Sequence, residues 1–137
     1  MKKQALAVAV VLAISILAAS EGLARPRSLK AHIPFTFEAG NRTLPGGGYQ
    51  IEFVETGSGV LERIRRSDGG EQVVVSTVSM DSKGAPGARL VFHRYGNHYF
   101  LAQIWDGEDR GEKLSESKRE REAASAAHSV EVAVALE

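Results

Sequence analysis

The residues able to do chemistry gather in one stretch of this sequence, Leu90–Trp105 (LVFHRYGNHYFLAQIW), which holds His93, His98, Arg94, Tyr99 and the sole tryptophan, Trp105. Gly96-Asn97 divides it into two runs. Both residues tolerate the positive φ angles of two-residue turns, so the stretch reads as a central β-hairpin. In that register Arg94 opposes Tyr99, Phe92 opposes Leu101 and Leu90 opposes Gln103, with Trp105 continuing the row. Val91, His93, Tyr95, His98, Phe100, Ala102 and Ile104 take the other face. His93 and His98 then lie about 7 to 8 Å apart at the backbone as diagonal neighbours, which makes them weak candidates for a shared metal. A catalytic zinc site needs a third protein ligand, and no HExxH accompanies them. Structural histidines beside Tyr95 and Phe100 are the simpler expectation, with neither metal nor cofactor. Arg94, Tyr99 and Trp105 on the first face form the candidate ligand-binding surface, a cation beside aromatic rings.

Other chemistries find less support. The chain has no cysteine, which removes thiolate nucleophiles, disulfides and cysteine-ligated metals together. No GxSxG elbow occurs, and the carboxylates Glu108 and Asp109 sit in a polar loop with nothing to raise a pKa for acid catalysis. The glycine run Gly46–Gly48 lacks the following Lys-Ser/Thr of a phosphate-binding loop and leads toward a strand. No catalytic residue is therefore assigned.

The elements that must hold the hairpin follow from patterning. Leu29–Glu38 alternates strictly, placing Leu29, Ala31, Ile33, Phe35 and Phe37 on one buried face and His32 among the solvated positions. Pro34 cannot donate to a ladder, so this strand lies at an edge or breaks there. Ala39–Gly48 reads as a loop, Tyr49–Val54 as a strand, and Val60–Arg66 as another. Ser67-Asp68-Gly69-Gly70 turns the chain into Val73–Met80. That turn sets Ile64 against Val73 but Glu62 against Val75, a mismatch that predicts a bulge or slip. Arg63, Arg65 and Arg66 read as a solvated face with cross-strand ion pairs. Asp81–Gly87 is a connection and Asp106–Gly111 a polar loop. Ser117 with Glu120 fits a capping box, predicting a helix over about 117–127 that lies lightly on the sheet through alanines. Val130–Leu136 alternates again, as a final edge strand over 129–137 or a tail.

Lys2 and Lys3 precede the uncharged apolar run Ala5–Ala19, which is shorter than the roughly 20 residues of a membrane span. With Gly22-Leu23-Ala24 offering a cleavage pattern, and Ser20 an alternative, residues 1–24 read as a secretory signal peptide. This predicts an exported chain, periplasmic or extracellular, with no integral membrane segment after cleavage. The whole sequence has 17 basic and 17 acidic side chains, and loss of Lys2, Lys3 and Glu21 leaves 15 against 16. Such balance gives no field for nucleic acid.

The segments LPGGGYQIE (Leu44–Glu52), LVFHRYGNHYFLAQIW (Leu90–Trp105) and SESKREREAA (Ser115–Ala124) together resemble a group of small exported bacterial proteins. That resemblance spans nearly all of residues 25–137 and implies no activity, ligand or site residue. The fold expected is mainly all-β: one antiparallel barrel or sandwich of six or seven strands over 25–128, including the helix. The function expected is a non-catalytic exported module binding a small apolar or aromatic molecule or an envelope protein. The alternatives are a self-assembling envelope protein and, behind it, a metal hydrolase using His93 and His98.

Overall fold

The computed structural model describes residues 28–57, 59–81, 87–108 and 110–137, so the expected signal peptide lies outside the described residues, as does most of the Asp81–Gly87 connection. Among the described residues ten strands and one helix are formed: β1 (Ser28–Ile33), β2 (Phe37–Ala39), β3 (Arg42–Leu44), β4 (Gly47–Thr56), β5 (Gly59–Arg66), β6 (Gln72–Asp81), β7 (Arg89–Tyr95), β8 (His98–Trp105), β9 (Arg110–Leu114), α1 (Lys118–Ala126) and β10 (Val130–Ala135). The protein is mainly β with one helix near the C-terminus, as expected, but the strand count exceeds six or seven. Within the described residues no helix is long and apolar enough to cross a membrane.

Strand order runs β1-β4-β5-β6-β9-β8 in antiparallel ladders, with β7 on the other side of β8 and β10 on β7. The β2–β3 hairpin joins β8 in parallel through Glu38 and Phe100 alone, which makes the sheet mixed. β10 approaches β1 only at an Ala31–Leu136 bridge, supported by the Glu137 N–H donating to the Lys30 carbonyl at 2.9 Å. One bridge is not a ladder. The sheet is therefore open and mixed, which corrects the barrel alternative of the expected antiparallel barrel or sandwich.

Alternation accounts for the core. Ala31, Ile33, Phe37, Leu44, Tyr49, Ile51, Ile64, Leu90, Phe92, Ile104 and Leu114 join one buried cluster drawn from nearly every strand, so the sheet must curl about it. Each such large side chain contributes about 1.5–3 kcal/mol of apolar burial. Pro34 ends β1 as anticipated, and the chain resumes pairing at Phe37. Gly46 fits against this break: a Cβ there would stand 3.1 Å from the Ile33 carbonyl oxygen and the Phe35 nitrogen. The glycine run thus admits a close backbone approach. Tyr49, though fully buried, donates its hydroxyl to the Pro45 carbonyl.

Two registers depart from expectation in opposite senses. In the β7–β8 hairpin Arg94 opposes Tyr99 and Phe92 opposes Leu101, but a shift follows, so Val91 opposes Gln103, Leu90 opposes Ile104 and Arg89 opposes Trp105. The bulge skips Ala102. It brings Leu90 and Ile104 into the core and turns Gln103 and Trp105 to the opposite face. Between β5 and β6 the ladder runs without a slip, and Glu62 faces Val75 from a fully buried position, contrary to the predicted bulge.

Trp105 lies over Gly111 in the neighbouring strand, where a Cβ would come within 2.4 Å of the indole. Gly111→Ala is expected to destabilise the fold by about 1–3 kcal/mol through overpacking. A denaturation midpoint equal to that of the unaltered protein would disprove this fit.

Candidate functional site

The outer face of the central hairpin is covered at its turn end by α1. Ser117 caps the helix as predicted, its Oγ accepting from the Glu120 N–H at 3.2 Å. The Glu120 carboxylate does not complete the capping box. It is buried, with Oε1 2.9 Å from His93 Nδ1 and accepting from the Tyr95 hydroxyl at 3.3 Å. Burial, and next the Glu120 charge, raise the Tyr95 pKa above that of a free phenol. On the flank, Arg119 donates to Glu38 at 2.6 Å and to the Thr43 hydroxyl at 3.3 Å, tying the helix to the β2–β3 hairpin. The helix is thus pinned by polar groups, with Ala123 half buried beneath it.

Between α1, the β2–β3 hairpin and the start of β8 lies a half-open groove of about 670 Å³. Phe37, Tyr99, Phe100, Ala123 and Ala126 give it an apolar lining, and Glu38, Arg119 and His98 lie on its polar side. The β2–β3 hairpin that forms one wall takes Phe37 and Glu38 from the end of the expected Leu29–Glu38 strand and the rest from the expected Ala39–Gly48 loop. Its turn is Gly40-Asn41, the same dipeptide as Gly96-Asn97, and in both turns only the glycine takes positive φ, +59° and +61°. Gly at the first central position is the type II′ arrangement. The repeated dipeptide was the signal for this strand pair.

The sequence-derived candidates divide among different surroundings. Tyr99 reaches the groove, and its ring stacks on Phe35 at 3.9 Å and 17°. Arg94 lies across the ladder from Tyr99, but among the described residues the tyrosine ring is stacked by Phe35 and not by the guanidinium. The bulge turns Trp105 away from both, and its Nε1 donates to Gln103 at 3.0 Å. The proposed row of Arg94, Tyr99 and Trp105 is therefore broken as a geometry, because one extra residue in β8 reverses the facing of everything beyond it.

His93 and His98 do share a face. His93 uses Nδ1 toward Glu120, while His98 is exposed at the groove, and among the described residues no three His, Cys, Asp or Glu side chains gather as a metal set. Cross-strand pairing is present for Arg63 and Arg65, on Glu52 at 3.2 and 3.5 Å, whereas Arg66 pairs locally with Asp68 of the adjoining turn at 2.8 Å.

The groove is thus a concave, mainly apolar surface with a few polar groups at one side, the form in which proteins hold small molecules. No protein-family model, no curated protein and no solved structure matches this chain.

Proposed function

We propose that this is an exported, non-catalytic binding module that takes a small molecule with an apolar or aromatic body in the groove between α1 and the β2–β3 hairpin. The observation that carries the reading is the groove itself, where Tyr99, Phe100 and Phe37 line a concavity walled by Ala123 and Ala126. Short alanines on the helix leave the space that longer side chains would fill. Export rests on the basic and apolar pattern of residues 1–24. Self-assembly through the C-terminal strand has less support, since Val130–Ala135 is already paired along β7.

The probe for this reading is 1-anilinonaphthalene-8-sulfonate, followed by fluorescence titration of the folded protein. Ala123→Trp fills the groove from the helix side, and Tyr99→Ala removes part of its floor. Each is expected to weaken probe binding about tenfold or more, the loss of a desolvated aromatic contact. Unchanged affinity in both folded variants would remove the groove from consideration.

A further inference from the structure

The curled sheet encloses two carboxylates, and the groove uses neither. Glu62 on β5 shares the inward face of Ile64, and Glu112 on β9 shares that of Leu114; their exposures are 0% and 1%. Glu112 is well provided for, its two oxygens accepting from the Thr77 hydroxyl at 3.1 Å and the Ser79 hydroxyl at 2.8 Å. Glu62 is not: neither of its oxygens has a hydrogen-bond partner. An uncompensated buried acid costs several kcal/mol, and buried carboxylates elsewhere are paired with cations or hold metals. The register makes Glu62 a diagonal neighbour of Thr77 on the inward face, and the Thr77 hydroxyl in turn reaches Glu112.

We propose that Glu62, Glu112, Thr77 and Ser79 form a site for one hard cation of the calcium class. Both carboxylates offer two oxygens and each hydroxyl one, an all-oxygen donor set of the kind such ions take at six to eight positions. The hydroxyls keep lone pairs while donating to Glu112, so they can ligate without releasing it. Glu62 and Glu112 are buried, Thr77 is half-buried and Ser79 exposed, so the site opens toward solvent at Ser79. Three strands, β5, β6 and β9, would be tied together by the bound ion. This site is independent of the groove and stands or falls without it.

The test is thermal unfolding of the purified protein at pH 8.5 after chelator treatment, with calcium or magnesium returned. Calcium is expected to raise the Tm by at least about 5 °C, magnesium by less, and Glu62→Gln to abolish the shift while keeping the side chain's volume. Tyr99→Ala should leave the shift intact. No calcium-dependent shift in the unaltered protein, or an equal one in Glu62→Gln, overturns the site. Native mass spectrometry of the unaltered protein needs no variant: one retained calcium per chain supports the assignment, and none at millimolar calcium refutes it.

Discussion

In metal-free buffer at pH 9, Glu62→Leu is expected to unfold at a higher temperature than the unaltered protein, and the difference is expected to shrink as the pH is lowered toward 5. Burial, and then repulsion from Glu112, raise the Glu62 pKa from 4.5 to about 8. The folded chain therefore holds a proton that the unfolded chain releases near pH 4.5. Because the folded state binds the extra proton, stability is greatest below that value and declines as pH rises through the window from about 4.5 to 8. At roughly 1.4 kcal/mol per pH unit the decline is at most about 5 kcal/mol, and structural relaxation or entering water would reduce it. Leucine at position 62 has no proton to lose and meets Val75, Ile64 and the rest of the core on equal terms, so its stability should be flat across that window. Replacing a buried ionisable group by a hydrophobic one of similar volume is commonly neutral or stabilising. Parallel pH profiles for the two proteins between pH 5 and 9, followed by circular dichroism, would show that Glu62 finds compensation in solution.

The second large effect is expected at Glu120. Glu120→Ala takes away the acceptor of the Tyr95 hydroxyl and the partner of His93 Nδ1, while Ser129 remains a partner for Tyr95 and the His93 side chain is 22% exposed to water. A buried group deprived of its partner costs about 1–3 kcal/mol, and with the half-buried His93 added to the buried Tyr95 a loss of about 2–4 kcal/mol follows. The helix cap is not touched, because Ser117 bonds to the backbone N–H of position 120. Glu122→Ala is the matched control: its carboxylate is exposed and pairs with Lys118 only at 3.9 Å. Surface pairs of that kind are worth well under 1 kcal/mol. Equal urea midpoints for the two variants would mean that α1 is held by something other than Glu120.

Much of the sheet was legible because its strands obey a period of two. The break at Pro34, the β5–β6 turn, the helix cap and the Gly96-Asn97 hairpin all follow from local chemistry. What escaped was the resolution of conflict. Leu90 against Gln103 and Glu62 against Val75 were the same kind of mismatch, a polar side chain opposite an apolar one. In β8 the strand bulged at Ala102, which put Ile104 in the core and Gln103 outside. In β5 no bulge formed, and the acid stayed inside. Local sequence cannot choose between these outcomes, because a bulge reverses the facing of everything beyond it and the choice rests on what the rest of the strand buries.

The site was legible only in part, for a related reason. Tyr99 emerged as a lining residue because a hairpin register is local. Its neighbours on α1 and the β2–β3 hairpin come from distant parts of the chain. Glu120 satisfied a helix-start signature so well that its long-range partners, His93 and Tyr95, left no separate trace. The strand β9 was missed: Arg110 and Gly111 were read into a polar loop and Glu112–Leu114 into no element, because Arg110, Glu112 and Lys113 mask a pattern in which Glu112 faces inward.

The place of β10 bears on how the molecule is assembled. β7 gains its second neighbour only when Val130–Ala135 arrives, and β1 meets Leu136 only after that. During synthesis these pairings must wait until the final strand has emerged, so β7 spends that interval with an open edge. Long-range closure of this kind slows folding, and an open edge invites pairing with other chains.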